Sequence, residues 1–261
     1  MNIILQNNKF VKDAKVSALG SIGRGYGVFE TLRTHNHKPL QAKEHINRLF
    51  HSAKQIDLKP KYNKAEITKQ LNKVTNKSPH KNQRIKIMVL EKELIIFSSP
   101  LKINEKIYEG VSCKSIECIR SLPEVKSISY LSSYLSHERA VKEGYFDAIL
   151  INNQEVFEGA YSNIFWFEKD TLCTRKTDIL PGITRANILK ISPFKTKFKT
   201  ITIKELKKKE EVFLTTSISG IVPITKIDKT KIGNGKPGIN TQKLLSLSST
   251  LFEEKKAKNS Q

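Results

Sequence analysis

Two apolar periods alternate along this chain, and that alternation constrains its fold more than any other feature. Ile46, Leu49, Phe50, Ala53 and Ile56 recur at helical spacing and predict a helix over 43–58. Ile67, Leu71 and Val74 predict a second over 65–74. Ile85, Ile87 and Val89 then alternate with polar residues, a strand pattern over 84–90, and 93–98 can pair with it. Residues 111–119 read as a further strand. The second half begins with a helix over 127–144, with Ile128, Leu131, Leu135 and Val141 on one side and Gly144 as its stop. Short strands follow at 148–152, 164–167 and 171–174. A helix opens at Gly182-Ile183-Thr184, with Thr184 a candidate N-cap. Strands at 199–203 and 212–216 flank a short charged helix, and a last helix covers 242–254. This is an α/β (α+β) pattern in two clusters: 1–118, a joint at 119–124 containing Pro123, and 125–261.

The 261 residues are enough for one large domain or two that share an interface. No apolar run approaches the roughly 18 residues of a membrane span. The opening MNIILQNNKF lacks a basic segment ahead of a long apolar stretch, so no secretory signal is expected. Cys113, Cys118 and Cys173 cannot all pair and form no metal-like cluster, which points to reduced thiols and a cytoplasmic location. No metal site is expected: His35 and His37 sit in a polar turn, and no H-E-x-x-H occurs. The net charge of +21 would suit nucleic acid, but only eight of the 46 basic residues are Arg, and the Lys are dispersed. A solvated basic surface that steers anionic ligands accounts for the charge more simply.

Several local features carry chemistry. The loop Gly20-Ser21-Ile22-Gly23-Arg24-Gly25-Tyr26-Gly27 is neither a dinucleotide fingerprint nor a P-loop, and as a plain turn it would lead into a strand over 28–33. Lys126 precedes an apolar-patterned helix. In water it is one more lysine; if buried, desolvation would lower its pKa and make it a nucleophile toward carbonyls. Glu158 lies just past a strand-like run and is either a turn residue or an orienting carboxylate. The start of the helix at Gly182-Ile183-Thr184 offers N–H groups to an anion, and the hydroxyls of Thr215, Thr216 and Ser217 offer the same.

Taken in order, these pieces resemble the fold type IV pyridoxal-phosphate enzymes: branched-chain aminotransferases, D-amino-acid transaminases and aminodeoxychorismate lyases. The resemblance runs over Gly25-Tyr-Gly-Val-Phe29-Glu-Thr31, His45-Ile-Asn-Arg48, Glu124-Val-Lys126-Ser-Ile-Ser-Tyr130, Glu158-Gly-Ala-Tyr161-Ser-Asn163, Leu180-Pro-Gly182-Ile-Thr184-Arg and Phe213-Leu-Thr-Thr-Ser217. It implies a smaller N-terminal α/β domain, a larger C-terminal domain with a barrel-like sheet, a homodimer, and pyridoxal 5'-phosphate as cofactor. It further implies that Lys126 bonds covalently to the cofactor and later moves the substrate's α-proton. Glu158 would face the pyridine nitrogen, Tyr130 the phenolic oxygen, and Leu180 the ring. Arg48, Gly182, Ile183, Thr184, Thr216 and Ser217 would hold the phosphate. Arg24, Tyr26, Phe29 and Tyr161 would face the substrate.

The chain also departs from the family pattern. Tyr26 stands where many members have Asp, and Tyr161 where they have Ala, Thr, Gly or Arg. The loop Arg24-Gly-Tyr-Gly resembles that of a subset of transaminases in which the loop Arg meets the substrate carboxylate from the neighbouring subunit, which implies Arg24 as the carboxylate anchor; the Arg-x-His carboxylate pair of one D-amino-acid transaminase type is absent near 86–89. Three functions fit in descending order. The first is a transaminase acting on a D-amino acid or a branched-chain L-amino acid and a 2-oxo acid. The second is a lyase releasing pyruvate from 4-amino-4-deoxychorismate to give 4-aminobenzoate. The third is a basic nucleic-acid-binding protein on an enzyme fold.

Overall fold

The computed structural model describes residues 2–252. Strands β1 (Ile3–Gln6), β2 (Lys9–Val11), β3 (Val28–His35), β4 (Lys38–Pro39), β5 (Gln83–Val89) and β6 (Leu94–Pro100) form one sheet in the order β2-β1-β6-β5-β3-β4. Every neighbour pair in it is antiparallel. Helices α1 (Ala42–Gln55) and α2 (Lys64–Lys77) cover one face. The sheet meets them through Leu32, Ile85 and Ile87; the helices answer with Ile46, Leu49, Ile67, Leu71 and Val74, all buried. Each such side chain stabilises the fold by about 1.5–3 kcal/mol relative to exposure. The start of α2 is fixed by Asn63, whose side chain accepts the Glu66 N–H (2.9 Å) while Glu66 accepts the Asn63 N–H (2.7 Å).

The second sheet holds β7 (Val111–Glu117), β8 (Asp147–Asn152), β9 (Glu155–Gly159), β10 (Asn163–Glu168), β11 (Thr171–Thr174), β12 (Lys195–Phe198), β13 (Val212–Thr216) and β14 (Gly220–Ile227). Its order is β12-β11-β10-β13-β14-β7-β8-β9, and β15 (Thr230–Lys231) pairs with β14. β7 runs parallel to β8 and β14, and β11 parallel to β12. The sheet curls into a half-barrel, giving the mixed α/β architecture expected. Helices α3 (Leu131–Lys142), α4 (Ile183–Ile191), α5 (Ile203–Leu206) and α6 (Ile239–Phe252) surround it.

Several expectations need correction. β7 falls in the N-terminal cluster by sequence but hydrogen-bonds within the second sheet, because strand period does not reveal a strand's partner. The helix expected from 127 starts at Leu131, and the stretch before it is extended: Phe29 N–H donates to Lys126 O (2.9 Å) and Ile128 N–H to Gly27 O (3.0 Å). Its supposed core face points outward. Leu131 is 67% exposed, and Leu135 and Val141 are exposed too, while Ser133, Ser136 and Ala140 are buried. Periodicity marks a face but not what covers it. The strand expected at 199–203 lies earlier, at β12, and the last helix begins at Ile239; its sequence-read end at 254 is outside the described residues. Strands β9 and β14 fall outside the strands that the alternation predicts.

Candidate active site

β3 alternates between two surroundings, and this builds one wall of a cavity. Glu30 points toward α1, whereas Phe29 and Thr31 point the other way and line a cavity of about 330 Å³. The opposite wall comes from β9, β10, α4 and the turn after β13, so the cavity lies between the two sheets.

Glu30 is fully buried, and its carboxylate takes a fork from Arg48 through Nε (2.7 Å) and Nη2 (2.8 Å) and meets His45 Nδ1 at 2.7 Å. Burial opposes the charge on Glu30, but Arg48 and His45 outweigh it and hold the carboxyl at about 2. Arg48 Nη1 then donates to Pro181 O at 3.1 Å, reaching across to the second half. Three of its five N–H groups are thereby used, and two remain at the cavity.

Lys126 sits half-buried in the cavity wall, on the extended stretch pinned to β3, with its backbone N–H donating to Ser52 Oγ (3.2 Å). Its Nζ lies 4.7 Å from the Phe29 ring centroid. Burial, helped by the nearby Arg48 charge, brings its ammonium down to about 7. Much of it is therefore the free amine at neutral pH, which a carbonyl nucleophile requires.

Across the cavity, Glu158 at the end of β9 is buried and takes three hydrogen bonds. Arg120 Nη1 donates to Oε1 (2.5 Å); the Leu180 N–H (2.9 Å) and Asn163 Nδ2 (3.4 Å) donate to Oε2. Burial raises its pKa in spite of Arg120. The close approach of Asn163 to the Leu180–Gly182 segment requires glycine at 182, since a Cβ there would collide with Asn163 Oδ1.

The remaining wall is made for an anion. The N-terminus of α4 faces the cavity with Ile183 and Thr184, and Gly182 rather than Thr184 is its N-cap. The Thr184 hydroxyl, freed from capping, is buried without a hydrogen-bond partner, as are those of Thr215 and Ser133; all three line the cavity. Thr216 and Ser217 lie alongside, with the Thr216 hydroxyl accepting from the Ser219 N–H (2.9 Å). Arg33 Nη1 donates to Ile218 O (2.9 Å), so β3 also braces this turn.

The residues expected at the site are thus largely assembled together. Phe29, Arg48, Lys126, Tyr130, Glu158, Tyr161, Leu180, Gly182, Ile183, Thr184, Thr216 and Ser217 all line the cavity. Arg24 and Tyr26 do not: Arg24 is exposed in the turn before β3, and Tyr26 packs against the first core. Arg84, Arg120, Ser133, His137, Asp147 and Asn163 also line it, although the sequence assigns them no role. Arg120 falls in a stretch legible only as a joint, and the others stand in elements whose apolar neighbours carry the visible pattern.

The family model for amino-transferase class IV matches residues 27–227. A D-alanine aminotransferase of Listeria monocytogenes is 30% identical over 271 residues, covering 92% of this chain and 93% of that protein. One from Bacillus licheniformis is 29% identical over 240 residues, covering 82% and 85%. In fold, the chain is similar to a branched-chain aminotransferase of the archaeon Thermoproteus uzoniensis solved with norvaline. That match has a TM-score of 0.87 at 26% identity and covers 96% of this chain and 94% of the other.

Proposed function

The chain belongs to the class IV aminotransferases, and on that premise we propose that it moves the amino group of a D-amino acid with a small side chain, D-alanine above all, to a 2-oxo acid. That it is a pyridoxal-phosphate-dependent transaminase follows from the family. The D-amino acid is our own reading, and the two relatives at 29–30% identity named D-alanine aminotransferases carry it. Tyr161 supports it, because a phenol on the cavity wall leaves less room for a branched side chain. The lyase reading is not favoured, since the relatives named above are aminotransferases.

The cavity fits the cofactor on its own chemistry. Its orphaned Thr184 and Thr215 hydroxyls, the N-terminus of α4 and the two remaining Arg48 N–H groups match a phosphate dianion. Bound there, pyridoxal phosphate supplies an electron sink for the charge left on the substrate's α-carbon. We assign the rest to the chain's residues. Lys126 Nζ holds the cofactor, then takes the α-proton and returns it. Glu158 keeps the ring nitrogen protonated, with Arg120 and the Leu180 N–H fixing its orientation. Leu180 packs on the ring and Tyr130 faces its phenolic oxygen. Phe29 and Tyr161 bound the substrate, while Arg24 reaches it from a neighbouring subunit.

We infer a homodimer from the outer face of α3. Its exposed Leu131, Tyr134, Leu135 and Val141 need a cover, and a second copy supplies one. We read 1–118 and 125–261 as two domains joined at 119–124, with β7 reaching into the second sheet. Among the described residues no helix is long and apolar enough to cross a membrane. The free Cys113, Cys118 and Cys173 support a reducing, cytoplasmic setting.

The test is turnover by the cofactor-loaded enzyme with 2-oxoglutarate and D-alanine, L-alanine or L-leucine in turn. Pyruvate from D-alanine alone is the expected result. Transfer from L-leucine but not D-alanine overturns the stereochemical reading. Release of 4-aminobenzoate from aminodeoxychorismate, with no amino transfer, overturns the transaminase reading.

A further inference from the structure

We propose that His137 is a further substrate-recognition residue: its imidazolium, held in place by Asp147, binds a carboxylate of the substrate. This rests on the transaminase reading for the identity of the ligand, but the anion contact itself rests on geometry.

His137 projects from α3 to the same cavity as Lys126 and Glu158. Its Nδ1 is 3.0 Å from Asp147 Oδ1. Asp147 is buried and cannot turn away: Oδ1 also accepts the Ala148 N–H (2.8 Å), and Oδ2 accepts the Ser162 hydroxyl (3.3 Å). The approach of Ser162 and Asp147 depends on Gly159, where a Cβ would collide with Ser162 Oγ. Asp147 therefore fixes which nitrogen carries a proton and where the ring points. Among the described residues, no protein group takes Nε2.

The second observation is the charge balance of the cavity. Of its cations, Arg48 is matched by Glu30 and Arg120 by Glu158. Lys126 is committed to the cofactor under the transaminase reading. His137 is itself paired through Nδ1 with Asp147, so what it leaves for a substrate anion is Nε2, alongside Arg84 on β5 and the Arg24 that the proposed function brings from a neighbouring subunit. An amino acid and a 2-oxo acid both carry a carboxylate, and a cavity that turns them over must neutralise it.

The third is the aromatic stack that supports the ring. Tyr161 lies 4.6 Å from the imidazole centroid and 5.7 Å from Tyr130, which meets Phe29 edge-on at 5.0 Å. A tyrosine face at this distance suits a cation as well as a neutral ring.

The groups facing His137 are Asp147 on β8, its neighbour Glu138 on α3, and Tyr161 from the turn before β10, with Tyr130 beyond. The hydrogen bond to Asp147 raises the His137 pKa against burial, and the charges of Asp147 and Glu138 add to it. Burial raises both phenols, which stay neutral, so the imidazole is the group that changes charge. Below its pKa Nε2 donates with a full positive charge; above it that attraction is lost.

The experiment measures propionate binding to the cofactor-loaded enzyme by calorimetry from pH 6 to 9, for wild type, His137→Gln and Asp147→Asn, with propionamide as the neutral control. The ratio of the His137→Gln Kd to the wild-type Kd cancels whatever titrates alike in the two proteins. It is expected to be about 10-fold or more at pH 6 and to fall toward one by pH 9. Propionamide should show no such trend, and the KM of the amino donor should rise by more than kcat falls. Asp147→Asn keeps the histidine but moves the loss of affinity to lower pH, a readout independent of how His137→Gln folds. A ratio near one throughout, or a loss that does not change with pH, overturns the proposal, as does an unmoved transition in Asp147→Asn. If wild type transfers no amino group yet the ratio behaves as expected, the transaminase reading falls and the anion contact stands.

Discussion

Replacing Lys126 by Met should stabilise the cofactor-free protein while abolishing turnover. The lysine's environment brings its ammonium from an ordinary 10.5 to about 7, chiefly by burial and then by the Arg48 charge. At 1.36 kcal/mol per pH unit that distance is worth about 5 kcal/mol against the charged form. Solvent reaches part of the side chain, so about 2–3 kcal/mol of it should register as stability. The sign follows from proton counting. Between pH 7 and 10.5 the unfolded lysine holds a proton that the folded one has lost, so wild-type stability rises with pH across this window. A methionine has no such charge and fills similar space, giving up only the Nζ contact with the Phe29 ring. The variant should therefore melt roughly 4–10 °C above wild type at pH 7, with the gap closing as pH approaches 10.5. Thermal unfolding of both apo-proteins by circular dichroism from pH 6 to 10 measures this. Equal melting temperatures at neutral pH, or a gap that does not shrink with alkalinity, would refute the reading of Lys126 as a desolvated amine. Amino transfer by Lys126→Met would refute its role in the chemistry.

Glu158→Gln should leave the melting temperature within a few degrees and cut kcat by on the order of 10²-fold or more; unchanged kinetics would mean that another group protonates the cofactor ring. Glu30→Gln removes the charge and one of the two acceptor oxygens that hold Arg48 and His45, so it should weaken pyridoxal-phosphate affinity and destabilise the fold by about 3–5 kcal/mol at pH 7, both read by titration and chemical denaturation. Because the Glu30 carboxyl sits at about 2, its contribution is complete above pH 4.5, so the gap between wild type and variant should narrow as pH falls toward 2. Tyr161→Ala should raise kcat/KM for D-leucine relative to D-alanine; an unchanged ratio of the two would show that the phenol does not bound the side-chain pocket.

Much of the fold was legible because the apolar period is a local property. The spacing of Ile46, Leu49 and Ala53 and the alternation of Ile85, Ile87 and Val89 report helix and strand without knowledge of their partners. β14 was illegible, and β9 legible only as a strand-like run before Glu158, for a local reason too: turn-forming and polar residues such as Gly159 and Gly220 hide strands whose hydrogen bonds are made only in the assembled sheet.

By itself, the order of short motifs from Gly25 to Ser217 determined the family, and with it the lysine, the carboxylate and the phosphate-binding segment. Those residues are tied to one chemistry, so their types and spacing carry it wherever they occur. Only the tertiary structure decided that Arg48 is held by Glu30, that Arg120 partners Glu158, and that Asp147 and His137 meet at the cavity. It decided too that Leu131 and Leu135 face outward. Each of these depends on which side chain stands opposite, and a linear pattern records the residue but not its neighbour across the fold. The same holds for Lys126. Its amine is reactive because burial and a nearby guanidinium remove water and add charge around it, and that environment exists only once both halves of the chain have closed upon it.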